Sequence, residues 1–122
     1  QRVPRDVKRV GISENIDTIP ARAFQGCTQL IEVEGHNRLR KVEQFAFNKC
    51  PRLRRVTKMT GLIEIEDYAF CGCRAVSELE FDKLEIIGGY AFFWCSSLRS
   101  IHQKLRRTCI PELFCVDGCG VW

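Results

Sequence analysis

Apolar residues recur along this chain with a period far longer than the turn of a helix or the pleat of a strand. An Ala-Phe pair stands at Ala23-Phe24, Ala46-Phe47, Ala69-Phe70 and Ala91-Phe92, at spacings of 23, 23 and 22 residues. Three residues past each phenylalanine comes a cysteine: Cys27, Cys50, Cys73 and Cys95. The register continues through Leu30, Leu53, Val76 and Leu98, and then through Val33, Val56, Leu79 and Ile101. Ahead of each pair stand Ile19, Val42, Ile65 and Ile87, themselves preceded by Ile16, Leu39, Leu62 and Leu84. Each unit reads L-x-x-I-x-x-x-A-F-x-x-C-x-x-L-x-x-I. The shorter unit loses its residue between Leu79 and Leu84, where a loop can absorb the loss.

A unit this short cannot bury its own apolar side, whereas stacked units share one continuous core. The segment after each cysteine is the best strand candidate, and equivalent segments are expected to pair in parallel about 4.8 Å apart. The Ala-Phe side forms the opposite wall, alanine small where the backbone turns closely and phenylalanine filling the interior. All these repeated apolar positions are expected in the core. Val7 and Val10 fit the last two apolar positions of an earlier unit, so the chain is expected to begin inside a coil. The resulting single domain, 1–122, divides into the end of a truncated repeat (1–10), four repeats (11–103) and a degenerate C-terminal cap (104–122).

Ile19-Pro20-Ala21-Arg22-Ala23-Phe24-Gln25-Gly26-Cys27 and Ile87-Gly88-Gly89-Tyr90-Ala91-Phe92-Phe93-Trp94-Cys95 resemble the BspA-like, or Treponema pallidum-type, leucine-rich repeat. The likeness covers about residues 4 to 103 and rests on the Ala-Phe-x-x-Cys element together with the period. It implies the α/β leucine-rich-repeat class: a β-rich, curved, right-handed solenoid with a parallel sheet on its concave side and short turns or 3-10/β segments on its convex side. It also implies a cell-surface or secreted setting and adhesion. Cys109 to Trp122 departs from the pattern, since Ile110-Pro111-Glu112-Leu113-Phe114 has one residue too few and no cysteine at the right offset.

Eight cysteines in 122 residues raise the prospect of a disulfide framework. Equivalent side chains in adjacent coils point the same way, however, and leave their β-carbons about a strand spacing apart, against about 3.8 Å in a disulfide. Cys27, Cys50, Cys73 and Cys95, like Phe24, Phe47, Phe70 and Phe92, are therefore expected to be structural packing residues. Cys71, Cys109, Cys115 and Cys119 stay unassigned: the last three would form a capping disulfide in an oxidising compartment and remain thiols in a reducing, intracellular one. Zinc wants four converging ligands, and no CxxC pair is present. The two histidines, His36 and His102, lie in different repeats, and Gly88-Gly89 is an isolated turn pair rather than a phosphate loop. No enzyme, metal or cofactor reading follows.

The remaining chemistry lies on the strand positions between the buried ones. One column reads Arg9, Glu32, Arg55, Glu78, Ser100, so opposite charges are expected to face one another across neighbouring strands. With Glu34, Arg54, Thr57, Glu80, Arg99 and His102 these residues form a mixed-sign candidate surface for a protein partner. The plainer reading is a ladder that sets register and solubility, each pair contributing about 0.2 to 1 kcal/mol. A net charge of +4 spread over both signs argues against nucleic acid. Charges recur too often for a membrane span, so no membrane insertion is expected, and no signal peptide is legible. An open first edge and an apolar tail leave room for end-to-end self-association. The function expected is a non-catalytic interaction module, with a structural spacer or scaffold repeat as the alternative.

Overall fold

Each unit of the pattern becomes one coil, and each coil contributes two short strands. A computed structural model describes residues 3–102. The expected cap, with Cys109, Cys115 and Cys119, lies outside the described residues. The first strand of each coil follows the cysteine: β1 (Arg9–Gly11), β3 (Glu32–Glu34), β5 (Arg55–Thr57), β7 (Glu78–Glu80) and β9 (Ser100–His102). The second precedes the Ala-Phe pair: β2 (Thr18–Ile19), β4 (Lys41–Val42), β6 (Glu64–Ile65) and β8 (Ile86–Ile87). Every pairing is parallel and joins equivalent positions, Val10 to Val33 to Val56 on one side and Ile19 to Val42 to Ile65 to Ile87 on the other. The fold is thus a parallel-strand solenoid, and the described residues contain no helix. The convex side is built of β segments and turns.

Those turns explain the Ala-Phe-x-x-Cys spacing. Ala23 N donates to Pro20 O (3.2 Å) and Cys27 N to Phe24 O (3.1 Å), closing two four-residue turns in succession. The third residue of each has positive φ: Arg22 (62°) and Gly26 (74°) in one coil, Phe45 (58°) and Lys49 (63°) in the next. Tyr68 with Gly72 and Tyr90 with Trp94 repeat the arrangement. Positive φ only at the third residue is the mark of type II turns, and for a side chain larger than glycine it costs roughly 1–2 kcal/mol. Neighbouring coils hold the strained segments in place. Phe24 N donates to Ala46 O (2.8 Å), Phe47 N to Ala69 O (2.7 Å) and Phe70 N to Ala91 O (2.8 Å). The turns are therefore laddered like a sheet.

Inside this wall Phe24, Phe47, Phe70 and Phe92 stack face to face, with centroids 5.0, 5.1 and 5.6 Å apart. The cysteines lie beneath them and do more than fill space. Cys50 Sγ donates to Phe24 O (3.1 Å), Cys73 Sγ to Phe47 O (3.2 Å) and Cys95 Sγ to Phe70 O (3.1 Å). A thiol is small and apolar enough for this interior, yet supplies a weak donor to the preceding coil's turn carbonyl. Cys50 and Cys73 are free thiols, and Cys71 is a third, outside the column. Burial raises the Cys50 pKa from 9.0 to about 12 and pushes Cys73 well up.

Two expectations need correction. Ile16 is not core: it is 41% exposed, whereas Leu39, Leu62 and Leu84 at the same position are buried. It sits on the first described coil, which has a neighbour on one side only. Nor is the first sheet continuous, since it divides into β1-β3-β5 and β7-β9 while β2-β4-β6-β8 runs through unbroken. Elsewhere the strands are flanked by bonds such as Gly35 N to Thr57 O (2.8 Å), but among the described residues Lys58 N makes no such bond to Glu80 O. Lys58 has positive φ (59°), and just beyond β5 and β7 the chain turns Met59 and Phe81 into the core, both 1% exposed. A Cβ on Gly35 would lie 2.9 Å from Met59 Cγ and 2.8 Å from Leu39 Cδ1, so only glycine leaves that space.

Two measurements check this account. Gly72→Ala finds room for its methyl, 3.5 Å from Lys49 Cα, but must hold φ near 79°, and is expected to lose about 1 kcal/mol in urea unfolding. The thiol column predicts an alkaline limit. Because the unfolded thiol ionises near 9.0 and folded Cys50 only near 12, its contribution is complete below pH 9.0 and lost as pH rises through that window. Each such thiol then lowers stability by about 1.4 kcal/mol per pH unit. Urea midpoints measured across this range should fall more gently for Cys50→Ala.

Candidate binding face of the first sheet

Alternation along the short strands decides which side chains face out. In β3, Val33 is fully buried between half-buried Glu32 and exposed Glu34; in β7, Leu79 is buried between exposed Glu78 and Glu80. Arg54, Arg55 and Arg99 are exposed and Thr57 is half-buried. His102 is placed on β9 by its pairing with Glu80. Glu32, Glu34, Arg55, Thr57, Glu78 and Glu80 thus alternate with the buried strand residues, while Arg54 and Arg99 are exposed just ahead of β5 and β9.

Only part of that array is internally neutralised. Glu32 Oε1 lies between two cations, 3.5 Å from Arg9 Nε and 3.4 Å from Arg55 Nη2. Glu34 is bonded to Lys58 Nζ at 2.6 Å, a contact that raises the lysine pKa. The alternation of charge does not continue to Glu78 as a ladder, because β5 and β7 are not paired and Arg55 is turned toward Glu32. At the seam lies a cleft of about 310 Å³ lined by Val56, Glu78, Leu79 and Glu80.

Sequence reasoning did not single out several features that the fold creates. Lys58 joins the face because its left-handed backbone aims it back toward Glu34. His36 is not a plain surface group: it is half-buried, with Nδ1 accepting from Arg38 N (3.0 Å) and Nε2 2.9 Å from Ser13 O in the preceding coil. A neutral ring protonated on Nε2 satisfies both bonds. Near it a depression of about 490 Å³ is lined by residues including Glu14, Glu34, His36 and Lys58. On the turn side Lys41 lies 3.0 Å from Glu66 and 3.9 Å from Glu64, and its pKa is raised, chiefly by the Glu66 hydrogen bond. A second aromatic column runs outside the first: Arg22 lies 4.3 Å over Phe45, which stacks on Tyr68 (4.9 Å) and through it on Tyr90 (5.4 Å). Its signal was available, since these residues immediately precede the four alanines. Among the described residues, no group of three or more His, Cys, Asp or Glu is placed to hold a metal ion.

The family described as BspA type leucine rich repeat region matches residues 5–112 in six copies. Among solved structures, a Treponema pallidum leucine-rich-repeat protein is similar at 25% identity and a TM-score of 0.61, over 76% of this chain and 57% of that one. A leucine-rich cell surface protein from Faecalibacterium prausnitzii shares the fold at a TM-score of 0.75 and 17% identity, over 93% of this chain and 37% of that one. A leucine-rich-repeat protein from Bacteroides ovatus does so at 0.61 and 21%, over 78% and 33%. The chain therefore spans at most 57% of the length of these three. No curated protein matches it.

Because both of its cations are more than half exposed, Glu32→Gln is expected to cost less than about 1 kcal/mol in urea unfolding. A larger loss would mean that the charge ladder holds the coils together rather than decorating them.

Proposed function

The chain belongs to the BspA-type leucine-rich-repeat family, and on that basis we propose that it is a non-catalytic interaction module that binds a protein partner through the outer face of its first-sheet strands. The observation that carries this reading is the face itself. It presents charged side chains of both signs at fixed strand spacing on a backbone held by hydrogen bonds from coil to coil. Such a surface pays little conformational entropy on association, because the scaffold is already ordered. Its mixed sign suits a protein better than a nucleic acid, which would select a run of cations. The cell-surface description of the Faecalibacterium relative supports a surface-exposed setting. No helix among the described residues is long and apolar enough to cross a membrane.

The face is tested by capture on the immobilised chain compared with its Glu32→Lys/Glu78→Lys double variant. Both carboxylates are at or near the surface, so folding is expected to survive the change. Loss of about tenfold in captured partner, with the thermal transition shifted by only a few degrees, is the expected result. Equal capture by the two proteins would overturn this face as the binding surface. Capture by neither would favour a spacer, in which the solenoid serves by its length alone.

A further inference from the structure

Beyond the sheet face, we infer that the edge of the solenoid between the cysteine turns and the first-sheet strands is a second docking surface, which takes an extended acidic segment of a protein partner. The edge repeats from coil to coil. Val7 N donates to Pro4 O (3.3 Å), Leu30 N to Cys27 O (3.2 Å), Leu53 N to Cys50 O (3.2 Å) and Leu98 N to Cys95 O (3.0 Å). The two residues inside each of these turns stand at an outer corner, and Arg74 occupies the equivalent place after Cys73. The residues just ahead of the strands stack in the same way, Ile31 N bonding to Lys8 O (2.7 Å), Arg54 N to Ile31 O (2.8 Å) and Arg99 N to Ser77 O (2.7 Å). Together these positions carry Arg5, Lys8, Arg52, Arg54, Arg74 and Arg99, all exposed, against a single carboxylate, Asp6.

What sets the edge apart is that its cations are not matched from within the chain. On the adjoining strands Arg9 and Arg55 both lie against Glu32, whereas the six edge cations make no ion pair among the described residues. Arg52 donates to Gln29 Oε1 (3.0 Å), which holds its head over the preceding coil and leaves its charge uncompensated. All but Lys8 are arginines, whose planar forks match a carboxylate through two hydrogen bonds at once. Charge density then decides the class of ligand. Lys8, Arg54 and Arg99 stand on alternate coils with Ile31 and Ser77 between them, so the charges of that column recur about every 10 Å. Duplex nucleic acid carries a charge about every 1.7 Å of its axis and would be left mostly unneutralised. Nor does any of these positions hold an aromatic side chain on which a single-stranded base could stack. An extended polypeptide turns alternate side chains to one face about 6.7 Å apart, and the four steps from Lys8 to Arg99 span about 19 Å, the length of about six residues. Two or three carboxylates in such a segment reach the arginines without crowding.

The probe is a short peptide alternating glutamate and serine, titrated at low salt into isotope-labelled protein. Backbone amide shifts are expected to centre on Arg52, Arg54, Arg74 and Arg99 and to spare the second sheet. Arg54→Gln/Arg74→Gln should weaken binding about fivefold or more, whereas Arg38→Gln/Lys83→Gln, an equal loss of exposed positive charge away from the edge, should leave it within about twofold. Equal losses from the two double variants, or shifts centred away from the edge, would overturn the surface. Tighter binding of a sulfated oligosaccharide or a single-stranded oligonucleotide at equal charge, with the same dependence on the two arginines, would overturn an acidic protein segment as the occupant. The sheet face is tested separately. Glu32→Lys/Glu78→Lys should bind the peptide at least as well as the parent chain, so a failed capture test of the face leaves this result intact. Peptide binding lost in that variant would place the acidic segment on the face and overturn the edge.

Discussion

The constraint on which the rest of this molecule depends is that no coil can satisfy its own backbone. Each coil contains two turn residues of positive φ, one in each of its successive turns, and offers N–H groups and carbonyls that only the next coil can meet, Phe24 N with Ala46 O and Gly26 N with Asn48 O. Strain of this kind persists only where surroundings over-determine it. Here stacking supplies that, and so equivalent residues must fall in register coil after coil. Alanine then becomes necessary beside the close backbone approach, and phenylalanine stacks on phenylalanine because the register leaves it no other neighbour.

The cysteine follows from the same geometry. Its position faces the preceding coil's phenylalanine carbonyl from inside the core, where a hydroxyl would be costly to bury and an alanine would leave the carbonyl one donor short. A thiol answers both demands weakly but adequately. The eight cysteines of this chain therefore do not speak with one voice, and those of the column are an architectural requirement rather than evidence of compartment.

Among the described residues the regular pairing of the first sheet is interrupted between β5 and β7. Met59 and Phe81 are seated in the core just beyond β5 and β7, which are not paired, while β6 and β8 stay paired opposite. The charges on either side of the seam differ, Glu32 being shared between two arginines and Glu78 being exposed on β7.

The sequence by itself determined the repeat, the buried column of phenylalanine and cysteine, the parallel register and the row of outward polar positions, because each is a consequence of period and residue size. Which of those polar residues meet was decided only in three dimensions. Arg55 has Glu32 on one side and Glu78 on the other at equal separation in the pattern, and the choice falls to Glu32 because β5 pairs with β3 and not with β7. Likewise Ile16 carries the core pattern but lies exposed for want of a coil beside it, and Lys58 joins the face through a left-handed backbone that its identity does not announce. A periodic sequence specifies what every coil has in common; the ends, the seam and the pairing of long charged side chains depend on how coils fit against particular neighbours.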